Sequence, residues 1–432
     1  MRRRNKRRMR RKYVYRGIVS LALFVVMLWA GEARAGRYWL APAPAAPGDP
    51  FPLVQGAGDL FRPVVAMDGS VVVWYAWSDD GLDVFGLALE AGQPQGAPFT
   101  IGGGPGEQAA PAISPGREGD GYLVVWHSRR DEAADFDVYA RYLDARGRPV
   151  DDPFPVAAGL GDQLRPAVAY APVVDRFVVV WQGRRAGAEF DLHARLIPSL
   201  PRLREQDGEI SGGTFTVSSA PGDQLTPAVA CEIEAPRCLV AWMDTRNANT
   251  LDTDIFGRMI DANAGTVLGD EIDVAVERWY QDSPAVIYNP VSRAYMLVWN
   301  DDIESQLVSS DGRSIGGRIN VSRESPFQYK PAIAVNAAGN YLIVWEDGRR
   351  QAIRGMDIYG QRLSPDGAPL GRNFALSTEA HNQYAPTVAF DPRLGAFFAV
   401  WEDDRESDDD GNSYLVLYGQ ILSDDADDEK TH

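Results

Sequence analysis

Short, wholly apolar runs that end in tryptophan recur along this chain. They read Val71-Val72-Val73-Trp74, Leu123-Val124-Val125-Trp126, Val178-Val179-Val180-Trp181, Leu239-Val240-Ala241-Trp242, Met296-Leu297-Val298-Trp299, Leu342-Ile343-Val344-Trp345 and Phe398-Ala399-Val400-Trp401. A short apolar run without alternation has both faces covered, as in a buried inner strand. The tryptophans stand 52, 55, 61, 57, 46 and 56 residues apart, which is the mark of a repeat architecture and not of two unlike domains. No long stretch keeps a 3.6-residue apolar period, so the chain reads as nearly all-β.

Each unit parses into four strands. Strand a opens with Pro63, Pro111, Pro166, Pro227, Pro284, Pro331 or Pro386, and proline is tolerated where a strand begins. Strand b is the tryptophan run. Strand c is an Asp-Ile-Tyr-Gly type segment opening at Asp83, Asp137, Asp191, Asp254 and Asp357, and turns such as Asp366-Gly367 lead out of it. Strand d is a Phe-x-Val type segment, as at Phe154-Pro155-Val156 and Phe215-Thr216-Val217. The seventh unit runs out at Leu422 without a d strand, whereas a matching Phe51-Pro52-Leu53-Val54 stands before unit one. An N-terminal strand that completes the last unit removes the open edges of a ring. The predicted fold is therefore a seven-bladed β-propeller of four-stranded antiparallel blades, closed by that strand. The small strand-a residues predict an apolar central channel.

The domain order expected is a signal peptide at 1–35, a Pro/Ala-rich linker at 36–50, the propeller at 51–422 and an acidic tail at 423–432. Ten of the first sixteen residues are Arg or Lys, an apolar run of fourteen follows, and Ala33-Arg34-Ala35 ends it. That is the three-part form of a secretory signal with an A-x-A cleavage site. An uncleaved N-terminal membrane anchor is the alternative, although spanning takes about 20 apolar residues. The protein is expected to be secreted, periplasmic or on the cell surface, touching membrane only through this segment, and to be a monomer. The whole chain has a net charge of −17; without residues 1–35 it has 32 basic and 59 acidic residues, a net of −27. Such a surface repels nucleic acid.

The order of proline, apolar strand, Asp-x-Arg, Asp-Ile-Tyr and Asp-Gly, plain from Pro331 to Gly367, resembles the repeats of TolB-type bacterial propellers and of repetitive bacterial surface proteins. The resemblance covers most of residues 51–422 and implies an extracytoplasmic propeller. The tryptophan that ends strand b departs from those repeats, and no activity is carried over from them.

Candidate chemistry is thin because most notable residues are notable through repetition. Trp74, Trp126, Trp181, Trp242, Trp299, Trp345 and Trp401 are expected to pack between blades. The Asp–Arg pair that follows several of them is either a loop fastener or part of a polar ligand ring. A glutamine stands three residues before six of the strand-a prolines, at Gln108, Gln163, Gln224, Gln281, Gln328 and Gln383; it ties loop backbone or lines a saccharide rim. The repeat breaks in unit five, which has no arginine after Trp299, and in the acidic loop of unit seven. The candidate rim residues are therefore Asp301, Asp302, Asp403, Asp404 and Arg405. Asp408, Asp410 and Asn412 alternate around a glycine as weak calcium ligands; no other cofactor is expected. Cys231 and Cys238, the only cysteines, flank one predicted turn and are expected to form a disulfide. No G-x-S-x-G elbow is present. The leading functional reading is a non-enzymatic scaffold that binds a protein or polysaccharide through one loop face. The alternative is a carbohydrate-active enzyme, a glycoside hydrolase or lyase, using carboxylates on the propeller face.

Overall fold

A computed structural model describes residues 34–35, 38–39, 48–56, 59–131, 134–184, 187–205, 212–247, 253–277, 280–300, 302–324, 327–407 and 413–424. The described chain is almost entirely β, in largely antiparallel sheets, four of them four-stranded. Units three to six each form one such sheet in the chain order a-b-c-d. In unit six the strands are Gln328–Val335, Tyr341–Asp347, Asp357–Leu363 and Pro369–Ser377. The sheets of units one and two are joined by a short parallel contact, Gly81 with Gly106 and Leu82 with Glu107. In unit seven, Gln383–Asp391, Ala396–Ser407 and Ser413–Leu422 are followed by Phe51–Gly56, which pairs antiparallel with the last of them (Phe51 opposite Gly419). Two short strands, Arg34–Ala35 and Tyr38–Trp39, extend that sheet.

All seven tryptophans are buried, and each belongs to an apolar cluster shared with the preceding unit. Trp345 packs with Met296 and Val298 of unit five, and Trp401 with Leu342 and Val344 of unit six. Trp74 packs with Phe398 and Val400 of unit seven, and with Leu53. The continuous apolar runs follow from this arrangement. Alternate side chains of strand b face the sheets on either side, so every position is covered. Two short helices interrupt the all-β reading, Leu200–Glu205 and Gln351–Arg354. The first lies in an insertion between strands c and d of unit three, within the longest of the tryptophan spacings.

Strand a contains a regular defect that the strand pattern does not announce. Its pairing with strand b slips in every unit, for example between Tyr329 and Ala332 and between Leu225 and Ala228. The residue before each proline sits in the slip with positive φ: Arg62, Ala110, Arg165, Thr226, Ser283, Lys330 and Ala385, all between 46° and 50°. Left-handed backbone is costly for residues other than glycine, and more so for a β-branched one such as Thr226. Proline relieves none of that cost, but having no N–H it leaves no donor of its own unpaired where the ladder is broken. The slip swings one residue per unit out of the ladder, and these residues meet where the first strands converge.

Candidate functional site

The seven displaced residues and the prolines after them line a cavity of about 340 Å³, which is of ligand-pocket size. The expectation of a small, apolar channel fails here. Arg62, Arg165 and Lys330 line the same cavity as Ala110, Thr226, Ser283 and Ala385. Three cations thus converge at one point of a strongly acidic chain.

The backbone N–H freed by each slip needs an acceptor. In four units the side chain following the tryptophan in the preceding unit supplies it. Glu402 Oε1 accepts from Arg62 N at 2.5 Å, and Glu346 Oε1 accepts from Ala385 N at 2.6 Å. Gln182 Oε1 accepts from Thr226 N at 2.9 Å, and His127 Nδ1 accepts from Arg165 N at 3.3 Å. An accepting Nδ1 places the neutral imidazole proton on Nε2. The repeat therefore sets a second group of side chains against the residues that line the cavity, and the set is uneven: Glu in units six and seven, Gln in unit three, His in unit two, Tyr75 in unit one.

Electrostatics tie these groups together. The Lys330 ammonium lies 2.9 Å from the Glu346 carboxylate. Burial raises the Glu402 carboxyl above the usual range and Glu346 adds to the effect, against the Arg62 N–H and the Lys330 charge. Burial pushes His127 down to about 4, helped by Arg165, Arg62 and Arg129. Burial also raises the Tyr75 hydroxyl, with Glu402 acting in the same sense and Arg62 opposing it. Tyr75 stacks on Phe61, ring centroids 5.4 Å apart. Three cations thus line the cavity, and two buried carboxyls adjoin them, Glu346 ion-paired to Lys330 and Glu402, raised above the usual range, bonded to Arg62 N. Such a set can hold an anionic group and exchange a proton beside it.

Of the rim candidates, Asp403, Asp404 and Arg405 lie not in a loop but within strand b of unit seven, Ala396–Ser407, where Asp403 pairs with Gln383 and Val416. Asp403 is fully buried and accepts from Trp401 Nε1 at 3.1 Å, while Arg405 grips it through Nε at 2.7 Å and Nη2 at 2.5 Å. Asp347 with Trp345 and Arg349, and Asp244 with Trp242 and Arg246, repeat this arrangement. Each guanidinium lies over a ring of strand c: Phe256, Tyr359 or Tyr418, 3.8 to 4.2 Å from the centroid. Asp404 accepts from the backbone and side chain of Asn382. These groups are engaged within the fold. Asp302 sits in the b–c turn of unit five with positive φ. Asp301, Asp408, Asp410 and Asn412 lie outside the described residues. The glutamines bind loop backbone and neighbouring side chains: Gln224 donates to Ala220 O and Gly222 O, and Gln163 accepts from Trp181 Nε1. Cys231 and Cys238 form a disulfide, which suits an oxidising, exported environment. Among the described residues no helix is long and apolar enough to cross a membrane.

Sequence reading missed the cavity residues because it treated the position before each proline as ordinary strand. The available clue was composition at that one position: Arg, Ala, Arg, Thr, Ser, Lys and Ala in successive units. The signal is invisible until the slip shows that these residues point to a common place.

No protein-family profile matches the chain, and no curated protein matches it. Solved structures do. A protein of unknown function from Dyadobacter fermentans is 11% identical, with 74% of this chain and 95% of that chain covered and a TM-score of 0.51. Trypanosoma rangeli sialidase is 8% identical, with 75% of this chain and 56% of that chain covered and a TM-score of 0.45. The same sialidase with 2,3-difluorosialic acid, titled a covalent intermediate, is also 8% identical, at 74% and 55% coverage and a TM-score of 0.45. This chain spans a little over half the length of the sialidase chains. At such identities the likeness concerns fold alone.

The reading of a non-enzymatic scaffold is corrected. The matched structures include sialidases, which are glycoside hydrolases and not inert scaffolds.

Proposed function

We propose that this chain is an exported carbohydrate-active enzyme, a glycoside hydrolase or lyase, with its active centre in the axial cavity. The architecture we assign is a seven-bladed propeller closed by Phe51–Gly56. Two observations support that closure: strand a of unit seven packs against strand a of unit one, and Phe51–Gly56 pairs with Ser413–Leu422. Export rests on the disulfide and on the reading of residues 1–35 as a signal.

The observation that carries the activity is the convergence of Arg62, Arg165 and Lys330 with Glu346 and Glu402. Two carboxyl groups in unlike environments are what glycosidic cleavage requires, one to give a proton and one to act as an anion. Glu402, whose burial favours its proton, takes the role of acid. Glu346, ion-paired to Lys330, supplies the anion. Arg62 and Arg165 are placed to hold the carboxylate of an acidic sugar, since guanidinium groups match carboxylates in charge and shape.

The purified protein is to be screened against acidic polysaccharides (pectate, alginate, hyaluronan) and neutral ones (dextran, xylan), with reducing-end release and unsaturated-product absorbance as readouts. Turnover of an acidic polymer that falls by a factor of about 100 or more in both Glu402→Gln and Glu346→Gln supports the assignment, in the range expected for loss of a general acid or base. Absence of turnover on every substrate, or full activity in both variants, rejects it.

A further inference from the structure

The loop entering strand a carries, just before its buried glutamine, a polar residue in most units: Glu107, Asp162, Asp223 and Asn382. These side chains fasten the loop. Asp162 accepts from Phe136 N and Arg184, Asp223 from Phe190 N, and Asn382 from Met356 N. Glu107 pairs with Arg129 at 3.0 Å. In units five and six the same position holds Tyr280 and Phe327, which are 52% and 45% exposed. Tyr329, two residues beyond Phe327, is 39% exposed. One half-exposed ring needs no explanation. Substitution of a fastener by an exposed aromatic in two consecutive units is a different matter, because the repeat shows what that position ordinarily does.

These rings precede cavity-lining residues along the chain, Tyr280 three residues before Ser283 and Phe327 three before Lys330. Tyr329 precedes Lys330, and Ser283 follows Asp282; Lys330 and Ser283 both line the cavity. Burial and the adjoining Asp282 carboxylate raise the Tyr280 hydroxyl, which places the ring beside that acid. Burial, Asp404 and the cavity acids Glu346 and Glu402 act likewise on Tyr384, the counterpart of Tyr329 in unit seven. Units two to four carry Ala109, Leu164 and Leu225 at that position instead. At these two loop positions the exposed rings are Tyr280, Phe327 and Tyr329, in consecutive units, with Tyr384 following in unit seven. Phe61 holds the place of Tyr329 in unit one and stacks on Tyr75, and Trp77 of that unit is also exposed.

We propose that the exposed rings of units five and six form an extended subsite for an acidic polysaccharide, with Tyr280, Phe327 and Tyr329 stacking on successive sugar rings of a chain whose acidic unit occupies the cavity. Flat apolar rings with a polar edge suit the C–H faces of pyranoses, and a row of them favours a polymer over a terminal sugar. The proposal rests on the carbohydrate-active reading of the cavity and adds chain length to it.

The test uses the full chain with Glu402→Gln to prevent turnover, and oligogalacturonates of one to eight sugars as probes, with affinity measured by calorimetry. Affinity is expected to rise with chain length. Tyr280→Ala combined with Phe327→Ala should weaken the octamer roughly tenfold, the loss of about one stacking contact's worth, and leave the monomer unchanged. Leu160→Ala, an exposed residue of the loop entering unit three (89% exposed), should alter neither. Tyr329→Ala alone provides a milder second variant. Affinity that stops growing after one sugar, a length dependence that survives the double variant, or no binding of any oligomer overturns the subsite. The outcomes separate the two readings. Length-dependent binding in a wild-type protein that turns nothing over rejects the enzyme and keeps the platform; turnover with no length dependence does the reverse.

Discussion

The Glu402 carboxylate accepts the backbone N–H of Arg62 at 2.5 Å, across 340 residues of sequence. This one bond links the last repeat to the first and sets an acid, its carboxyl raised above the usual range by burial, beside a cation of the cavity. Glutamine at 402 keeps the acceptor, whereas alanine leaves a buried N–H without a partner, a loss of about 1–3 kcal/mol. Glu402→Gln is therefore expected to unfold in urea close to wild type while losing activity, and Glu402→Ala to unfold earlier. Equal midpoints for the two variants would show that the bond contributes nothing to the fold.

His127 supplies a pH dependence of defined sign. Its imidazole is held down to about 4, first by burial and then by Arg165, Arg62 and Arg129, so the native state keeps it neutral where the unfolded chain protonates it. The stability it contributes is complete above about 6.5 and is lost as pH falls through about 4, about 3 kcal/mol. His127→Gln keeps an acceptor for Arg165 N and removes the titration. Its unfolding free energy should fall less steeply than wild type between pH 6.5 and 4, as read from denaturant melts; parallel curves exclude His127 as the source.

Asp347 gathers Arg349, the Trp345 ring N–H and the Gln328 amide while fully buried. Burial disfavours its charge, but those hydrogen bonds outweigh it and hold the carboxyl below the usual range. Removing one partner of a buried pair strands the other, so Asp347→Ala should cost about 3–5 kcal/mol. Arg349→Lys keeps charge but not the fork and should cost less. Urea titration of both variants checks the order, and a reversed order would contradict the fastener role.

The Cys231–Cys238 disulfide closes a short hairpin between strands a and b of unit four. Because the loop is small, the chain-entropy gain is only about 2 kcal/mol. The double serine variant should fold, with a lowered thermal midpoint; a variant as stable as wild type would place the disulfide's value elsewhere.

The proposed closure rests on Phe51–Gly56, which pairs with Ser413–Leu422. Leu53 and Val54 are fully buried, and Leu53 shares a cluster with Trp74, Phe398 and Val400. Their removal uncovers the contact between the last and first units and a free sheet edge. A chain beginning after residue 56 should lose much of its thermal stability and associate with itself, seen by calorimetry and size-exclusion chromatography. An unchanged, monodisperse protein rejects closure by this strand.

The periodic features were legible in the residues alone. Apolar runs ending in tryptophan, opening prolines and Asp-Gly turns specify strands and their order, because strand burial repeats within a few residues and leaves a local trace. The out-of-phase N-terminal strand and the cysteine pair were readable for the same reason. The short helix after Pro198 was not, since six residues in an insertion carry no period. The cavity could not be read either. It depends on left-handed backbone before each proline, which turns Arg62, Arg165 and Lys330 from strand positions into neighbours, and on side chains such as Glu402 that reach across to the next unit. Local pattern determined the strands, their repetition and the pairing of Cys231 with Cys238. Only the tertiary structure decided which residues share a site, because charges hundreds of residues apart in sequence interact once the chain brings their strands together.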